Sequence, residues 1–382
     1  MTEKIHRIDI VGVRVTPKTA WLFCSLTTAD GLTGTGEATL HSQEQAVLAA
    51  AREHSRHILG ADALSCDAKL LQLPFSTLPQ AAFSSALLQA VWDLRARSQN
   101  ESLATALGGA ERGSIPLYAN INRRTLDRSP AGFAASAAEA IQASFQAIKI
   151  APFDAIEPGL ATATVRPALD AALQRIAAVR DQIGPSLRLM VDCHWRFDQA
   201  RAAEILPALA ELDVYWMECP IAETTGNLPA LRALRSQANA LGIRLAGCET
   251  AVLLRGFEPY LRAGAYDVMM PDVKYAGGPE EMLRIAAKFD RHGVAFSPHN
   301  PTGPICHAAS LQVCAAVQTL DILEHQYDET PLFDQLVGHT LPPIRQGAVA
   351  LPRTAAPGIG VALDSTRLQT LDTTAVWSAQ AS

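Results

Sequence analysis

The sequence predicts an α/β fold organised around a (β/α) barrel, and three observations carry that prediction. From about Ile115 onward, short apolar stretches of strand length alternate with Ala- and Leu-rich stretches of helical period. Eight such strands follow one another, and a run of that many strand–helix units closes into a barrel more readily than it forms an open doubly wound sheet. No GxGxxG or Walker sequence opens any of the helices, so the competing architecture, a nucleotide-binding sheet, lacks its phosphate loop.

The chain begins differently. Ile5–Val15 alternates in polarity, and Trp21–Thr27 runs into Ala29-Asp30-Gly31, a hairpin signal. Gly34-Thr35-Gly36-Glu37 falls in this hairpin region and carries little weight as a phosphate cradle. Glu44–Leu59 and Ser84–Ala96 have helical patterning, and a glycine stop stands at Leu107-Gly108-Gly109. The barrel strands are then expected at Pro116–Asn120, Gln146–Ile150, Leu187–Asp192, Val214–Glu218, Arg244–Glu249, Asp267–Asp272, Val294–Ser297 and Thr319–Glu324. Helices are expected between most of them, over Phe133–Ala143, Thr164–Ile183, Gln199–Leu212, Leu228–Leu241, Phe257–Ala263, Pro279–His292 and Pro304–Val317. The tail after Val349 is too short for a domain, and its Pro357-Gly358-Ile359-Gly360 turn predicts that it folds back on the first unit. The expected division is 1–114 for an N-terminal α+β unit, 115–348 for the barrel and 349–382 for a segment completing the first unit.

Composition narrows the function classes. The 382 residues are 48% hydrophobic and 18% charged, an ordinary globular mix with material for a sizeable core. The formal charge is −6 and no run of like charge occurs, which argues against a nucleic-acid surface. The opening MTEKIHRIDI has no apolar core and does not read as a secretory signal, and no stretch is apolar enough to span a membrane. A soluble cytoplasmic protein is expected. The seven cysteines (24, 66, 193, 219, 248, 306 and 314) are scattered and form no CxxC pair, so they read as small buried hydrophobes.

In a barrel, chemistry collects where strands end. Lys149, Asp192, Glu218, Glu249, Asp272, His299 and Glu324 stand at such ends, the last six spaced 26, 31, 23, 27 and 25 residues apart. Each step is one strand–helix unit, so these residues are expected around one mouth. A single carboxylate at a strand end is commonplace and usually solvated. Three in consecutive register, Asp192, Glu218 and Glu249, would repel one another without a cation, and hard oxygen ligands suit Mg²⁺. Strand alternation turns Cys193, Cys219 and Cys248 away from the mouth and His194 toward it with Asp192. Ala151 is the counterpart of His194 on the strand of Lys149.

These residues carry a family resemblance. Val191-Asp192-Cys193-His194, Trp216-Met217-Glu218-Cys219-Pro220, Gly247-Cys248-Glu249, Met270-Pro271-Asp272 with Gly277-Gly278, and Ser297-Pro298-His299-Asn300-Pro301 together resemble the enolase superfamily, mandelate racemase subgroup. Within it they resemble galactonate-dehydratase-like acid sugar dehydratases, over nearly the whole chain. The resemblance implies a modified (β/α)7β TIM-type barrel with an α+β capping domain built from both chain ends. It implies one Mg²⁺ on Asp192, Glu218 and Glu249, binding a substrate carboxylate so that an α-proton can leave as an enediolate forms. His299 would be the base with Asp272 orienting it. Glu324, in protonated form, would donate a hydrogen bond to the enediolate, and His194 would protonate the departing β-hydroxyl.

Racemases of this subgroup typically carry Lys-x-Lys where this chain has Lys149-Ile150-Ala151, so the second lysine is missing. That favours one His–Asp base with a separate acid, Lys149 neutralising the substrate carboxylate. The expected activity is a hydro-lyase reaction on an aldonate or aldarate giving a 2-keto-3-deoxy acid. An epimerase or cycloisomerase using the same enediolate is the alternative enzyme, and a sugar-acid-binding barrel the non-enzyme reading. Lys18, Trp21 and His41 on the cap loops are candidates for the distal hydroxyls. Lys274, two residues past Asp272, is unexpected for such a dehydratase and is a further substrate candidate. The expected partner is a small carboxylate, with a homo-oligomer as assembly.

Overall fold

The computed structural model describes residues 4–63, 75–109, 112–159, 162–351 and 356–381. Strands β1 (Ile5–Arg14), β2 (Ala20–Thr28) and β3 (Thr33–Glu37) form an antiparallel ladder, with the expected turn at Asp30-Gly31 between β2 and β3. The helix Leu78–Ser98 lies across this sheet. It starts six residues earlier than its apolar pattern suggested, because Thr77 and Gln80 form a capping box and Pro79 follows the cap. Gly34 and Gly36 are contact residues: a Cβ at either would come within 2.1 Å of a carbonyl oxygen of that helix, at Ala90 and Ala86. The helix expected over Glu44–Leu59 ends at His54 and continues as a 3₁₀ turn, Ser55–His57.

Eight parallel strands follow: β4 (Ser114–Asn120), β5 (Ala147–Ile150), β6 (Arg188–Asp192), β7 (Val214–Glu218), β8 (Arg244–Gly247), β9 (Val268–Met269), β10 (Ala295–Phe296) and β11 (Leu323–Gln326). They close because β11 pairs with β4, while Phe296 bridges Leu320 on the approach to β11. A helix follows each strand from β4 to β10. After β11 there is only the short helix Leu332–Gln335 and a hairpin of β12 (Ile344–Arg345) and β13 (Ala348–Ala350), the latter pairing with β4. The architecture is a (β/α)7β barrel. Alternation sorts its core: Tyr118, Met190, Trp216 and Met270 fill the interior, while Val191, Met217 and Leu245 pack outward under the helices. Burying a side chain such as Met190 contributes about 1.5–3 kcal/mol.

The chain ends meet. The strand β14 (Thr373–Gln380) pairs with β1. The Pro357–Gly360 turn docks on buried Asp93, which accepts the Ile359 amide at 2.8 Å and the Thr35 amide at 2.9 Å. Glu37, at the end of β3, joins cap to barrel. Its buried carboxylate accepts from Thr39 and Thr302 hydroxyls and from the amides of Gly303 and Cys306, the first turn of the helix Pro304–Ala316. The short loop from His299 to that helix is thereby pinned to the cap. Among the described residues, no helix is long and apolar enough to cross a membrane.

Candidate metal and acid–base site

Asp192 and Glu218 end adjacent strands and are register partners in the β6–β7 pair, so their side chains emerge side by side. Glu249 lies two residues beyond β8. One carboxylate oxygen from each of the three falls within 4.8 Å of the others, and all three residues are buried. Left-handed backbone at non-glycine residues surrounds them: His194 (φ 46°), Trp195 (φ 55°), Cys219 (φ 44°) and Cys248 (φ 70°). Such conformations cost on the order of 1–3 kcal/mol each and persist where surrounding bonds over-determine them. Here the Trp195 amide donates to Cys219 O at 2.6 Å, the Cys219 amide to Ala246 O at 2.9 Å and the Cys248 amide to Glu223 Oε1 at 2.6 Å.

These turns, not strand alternation, set the directions of His194 and Cys219. His194 does share the cavity with Asp192, but through a turn: its amide donates to Asp192 Oδ1 at 2.9 Å and its Nε2 lies 3.0 Å from Asp192 Oδ2. Cys219 does not face away; its Sγ reaches 3.8 Å from Glu249 Oε2. Cys193 and Cys248 do pack into the outer core. Burial pushes all three thiols well up, so none offers a thiolate. Cys66 lies outside the described residues.

The donor set fits a hard divalent cation. Burial, with Asp192 and Glu324 adding to it, pushes the Glu218 carboxyl well up even though Lys149 opposes the shift. Three oxygen donors so placed carry a charge that Mg²⁺-type coordination would neutralise.

Lys149 Nζ lies 2.5 Å from Glu218 Oε1, 2.9 Å from Glu324 Oε1 and 3.9 Å from Asp192 Oδ2. Glu324 is the second close partner of this lysine. The strand expected at Thr319–Glu324 is β11, Leu323–Gln326, so Glu324 sits inside the barrel rather than at its rim, with no exposed surface. Its oxygens accept from Lys149, from Asn120 Nδ2 at 2.7 Å and from the Asn300 amide at 2.8 Å. Burial alone would raise its pKa, but Lys149, His299 and the Asn300 amide outweigh burial and hold it below the usual value. This setting pairs its carboxylate with Lys149 and opposes the protonated form that a hydrogen-bond donor would need.

His299 Nδ1 lies 2.7 Å from Asp272 Oδ2, and its Nε2 lies 3.7 Å from Glu249 Oε2. A carboxylate on Nδ1 leaves Nε2 as the ring's proton acceptor. Burial would lower the His299 pKa, but Glu249 and Asp272 raise it above the ordinary value. Lys274 is buried beside this pair, with Nζ 3.0 Å from Asp272 Oδ2 and its amide 2.8 Å from Oδ1. Lys274 and His299 together keep Asp272 ionised against burial. Asp192 is likewise held low despite burial, chiefly by His194, whose own pKa Asp192 raises.

A cavity of about 350 Å³ takes in Lys149, Asp192, His194, Glu249, Lys274 and His299. Of the cap candidates, His41 lines it; Lys18 lines a larger adjoining chamber. Trp21 lines neither. It is 1% exposed and packs edge-on against Phe23 and Phe333, since its position on β2 turns it into the cap–barrel contact. Three residues near the site escaped sequence reasoning. Asn120 and Arg123 come from β4 and its loop, which shows no ionisable strand-end residue, and Glu223 stands in a loop beyond Pro220.

Residues 9–108 match the mandelate racemase / muconate lactonizing enzyme N-terminal domain, and residues 132–367 match the enolase C-terminal domain-like family. A D-gluconate dehydratase of Thermoproteus tenax is 31% identical over 350 residues, 90% of this chain and 68% of that protein. A D-galactonate dehydratase of Variovorax paradoxus (strain S110) is 29% identical over 372 residues, 93% of this chain and 91% of that protein. Among solved structures, a mandelate racemase/muconate lactonizing enzyme-like protein from Roseovarius sp. TM1035 superposes with a TM-score of 0.85 at 23% identity, covering 98% of this chain and 97% of that one. A mandelate racemase/muconate lactonizing enzyme from Jannaschia sp. CCS1 gives 0.85 at 24%, covering 97% and 98%.

Proposed function

This chain belongs to the mandelate racemase / muconate lactonizing enzyme family of the enolase superfamily, and from that premise we propose that it is a dehydratase of sugar acids. The reaction is removal of the α-proton and expulsion of the β-hydroxyl, leaving a 2-keto-3-deoxy acid. One observation carries the reading: two histidines, each held by its own carboxylate, line the same cavity as Asp192 and Glu249 of the acidic triad. The names of the sequence relatives, sugar-acid dehydratases, support it.

Asp192, Glu218 and Glu249 would hold one Mg²⁺, which supplies positive charge for a substrate carboxylate and for the negative charge that grows on it as the α-proton leaves. His299 takes that proton on Nε2. Asp272 fixes the ring with Nδ1 protonated and stabilises the imidazolium, and Lys274 keeps Asp272 ionised for the purpose. The electron pair from the α-carbon forms the Cα–Cβ double bond while the β-carbon–oxygen bond breaks. His194, placed beside Asp192 and facing the cavity, gives its proton to the hydroxyl, which leaves as water. The remaining enol ketonises. Lys149 balances the charge of Glu218 and Glu324 next to the substrate carboxylate. Ala151, buried where a second lysine would be needed, speaks against a two-base racemase.

The test is a library of aldonates and aldarates incubated with the Mg²⁺-loaded protein and assayed for 2-keto acids. At least one acid should yield a keto acid with loss of water. Solvent deuterium at the α-carbon with an isomeric product and no keto acid would replace this reading with epimerisation or cycloisomerisation.

A further inference from the structure

Beside the catalytic cavity lies an outer chamber of about 910 Å³. Thr19, His41, Asn122 and Arg123 line both, so the two spaces adjoin at these residues. A sugar acid with its first carboxylate at the triad and its far end at Arg123 would reach into this chamber. In a chain of formal charge −6, that wall carries five cationic side chains against three carboxylates.

Most of those cations are committed. Arg128 grips Asp154 with two nitrogens, both at 2.8 Å, and Arg175 shares that carboxylate at 3.5 Å. Arg124 is divided between Glu139 and Asp328. Arg123 and Lys18 are different. Arg123 places one nitrogen, Nη1, 3.0 Å from Glu329 Oε2, and Glu329 is kept in place by the Thr19 hydroxyl on its other oxygen. The Arg123 side chain is 33% exposed, which leaves donors of its planar fork available at the junction of the two spaces. Lys18 is exposed on the Thr16–Thr19 turn, and its ammonium faces no carboxylate within ion-pair distance among the described residues.

We propose that the outer chamber seats a second anionic group at the far end of the substrate, a carboxylate or a phosphate ester, and that Arg123 and Lys18 read it. Arg123 supplies the directed hydrogen bonds and Lys18 the uncompensated charge. Glu329 orients Arg123 from behind without consuming its fork. A neutral polyol end would find donors here too, but it would leave the Lys18 charge and the excess of cations without a purpose. The inference rests on the sugar-acid reading and narrows it to doubly charged acids.

The test measures binding by calorimetry to the Mg²⁺-loaded His299→Asn protein, in which turnover is blocked. Matched sets of one configuration are compared: an aldonate, the corresponding aldarate and the 6-phosphoaldonate, across the common hexose series. In a set that binds, at least one doubly charged member should bind tenfold or more tightly than its aldonate, and which one does so identifies the group. Arg123→Met and Lys18→Met should each remove most of that gap by weakening the doubly charged ligand. Lys18 is exposed, so its variant is free of folding complications. An aldonate that binds as tightly as its doubly charged counterparts, or variants that weaken all members equally, would overturn the proposal while leaving the sugar-acid reading intact. Failure of every acid sugar to bind would remove both.

Discussion

The Glu223 carboxylate accepts the amide of Cys248 at 2.6 Å, one residue before the third carboxylate of the triad, Glu249. The same oxygen accepts the Tyr266 hydroxyl at 2.7 Å. Gly247 is what admits it, since a Cβ there would meet Glu223 Oε1 at 2.4 Å. Glu223 therefore holds Cys248 in its left-handed conformation and fixes the direction in which Glu249 leaves the strand. Outer-shell partners of this kind typically change metal affinity by about 10–100-fold when removed. Glu223→Ala is expected to weaken Mn²⁺ binding, followed by electron paramagnetic resonance, by that order, while Glu223→Gln, which keeps an acceptor oxygen, stays near wild type. Unchanged Mn²⁺ affinity in the alanine variant would show that Cys248 needs no such support.

Burial pushes Glu223 up to about 7, so at mildly acidic pH the folded protein keeps a proton that the unfolded chain has already lost. The unfolded state then binds fewer protons, and this group's contribution to stability falls as pH rises from about 4.3 toward 7. The loss amounts to at most about 4 kcal/mol, less the screening that partial exposure brings. Glu223→Gln cannot ionise. Its stability relative to wild type, from urea melts, should rise between pH 5 and pH 8; a pH-independent difference would rule out an ionising Glu223 as the source.

His299→Asn is expected to abolish turnover with Mn²⁺ binding nearly intact, because the ring is held through Asp272 and lies 3.7 Å from Glu249 rather than in the triad. Asp272→Asn should leave a weaker base. A fall of about 10²–10⁴-fold in kcat is the scale for disabling general base catalysis. Removing the Asp272 charge and hydrogen bond also lowers the His299 pKa, so the acidic limb of kcat/KM should move to lower pH. A limb that stays in place would assign it to another group.

His194 is 40% exposed in its side chain, near Asp192 and facing the cavity. His194→Asn should suppress water loss more than exchange of the α-proton with D₂O, since His299 is untouched. Equal loss of both, measured by keto-acid formation and by NMR of the recovered substrate, would deny it the role of leaving-group acid.

The barrel and the triad were legible because both follow simple periods. Strand alternation separates Met190 from Val191, and one strand–helix unit separates Asp192 from Glu218. What was not legible depends on where strands stop. Thr319–Asp321 reads as strand, whereas β11 begins at Leu323 and carries Glu324 below the rim. His194 and Cys219 lie in left-handed turns, and no period of two or 3.6 residues describes those. Trp21 has the composition of a binding residue, but pairing on β2 decides its direction. Arg123 and Glu329 meet only when β4 and β11 close the barrel.

Lys149 is the cation on which two buried carboxylates depend, 2.5 Å from Glu218 and 2.9 Å from Glu324. Lys149→Met removes that cation and leaves both acids in a site with almost no solvent. Breaking a buried pair from one side costs about 3–5 kcal/mol, because the remaining charge is uncompensated. The double variant Lys149→Met/Glu324→Gln leaves one fewer uncompensated acid and should recover a large part of that loss. Mg²⁺ should recover a further part by neutralising Glu218, which belongs to the triad, but not Glu324, which does not. Urea melts of the single and double variants, with and without Mg²⁺, give the coupling directly. If the double variant is no more stable than the single, then Glu324 is not the group that Lys149 keeps in balance.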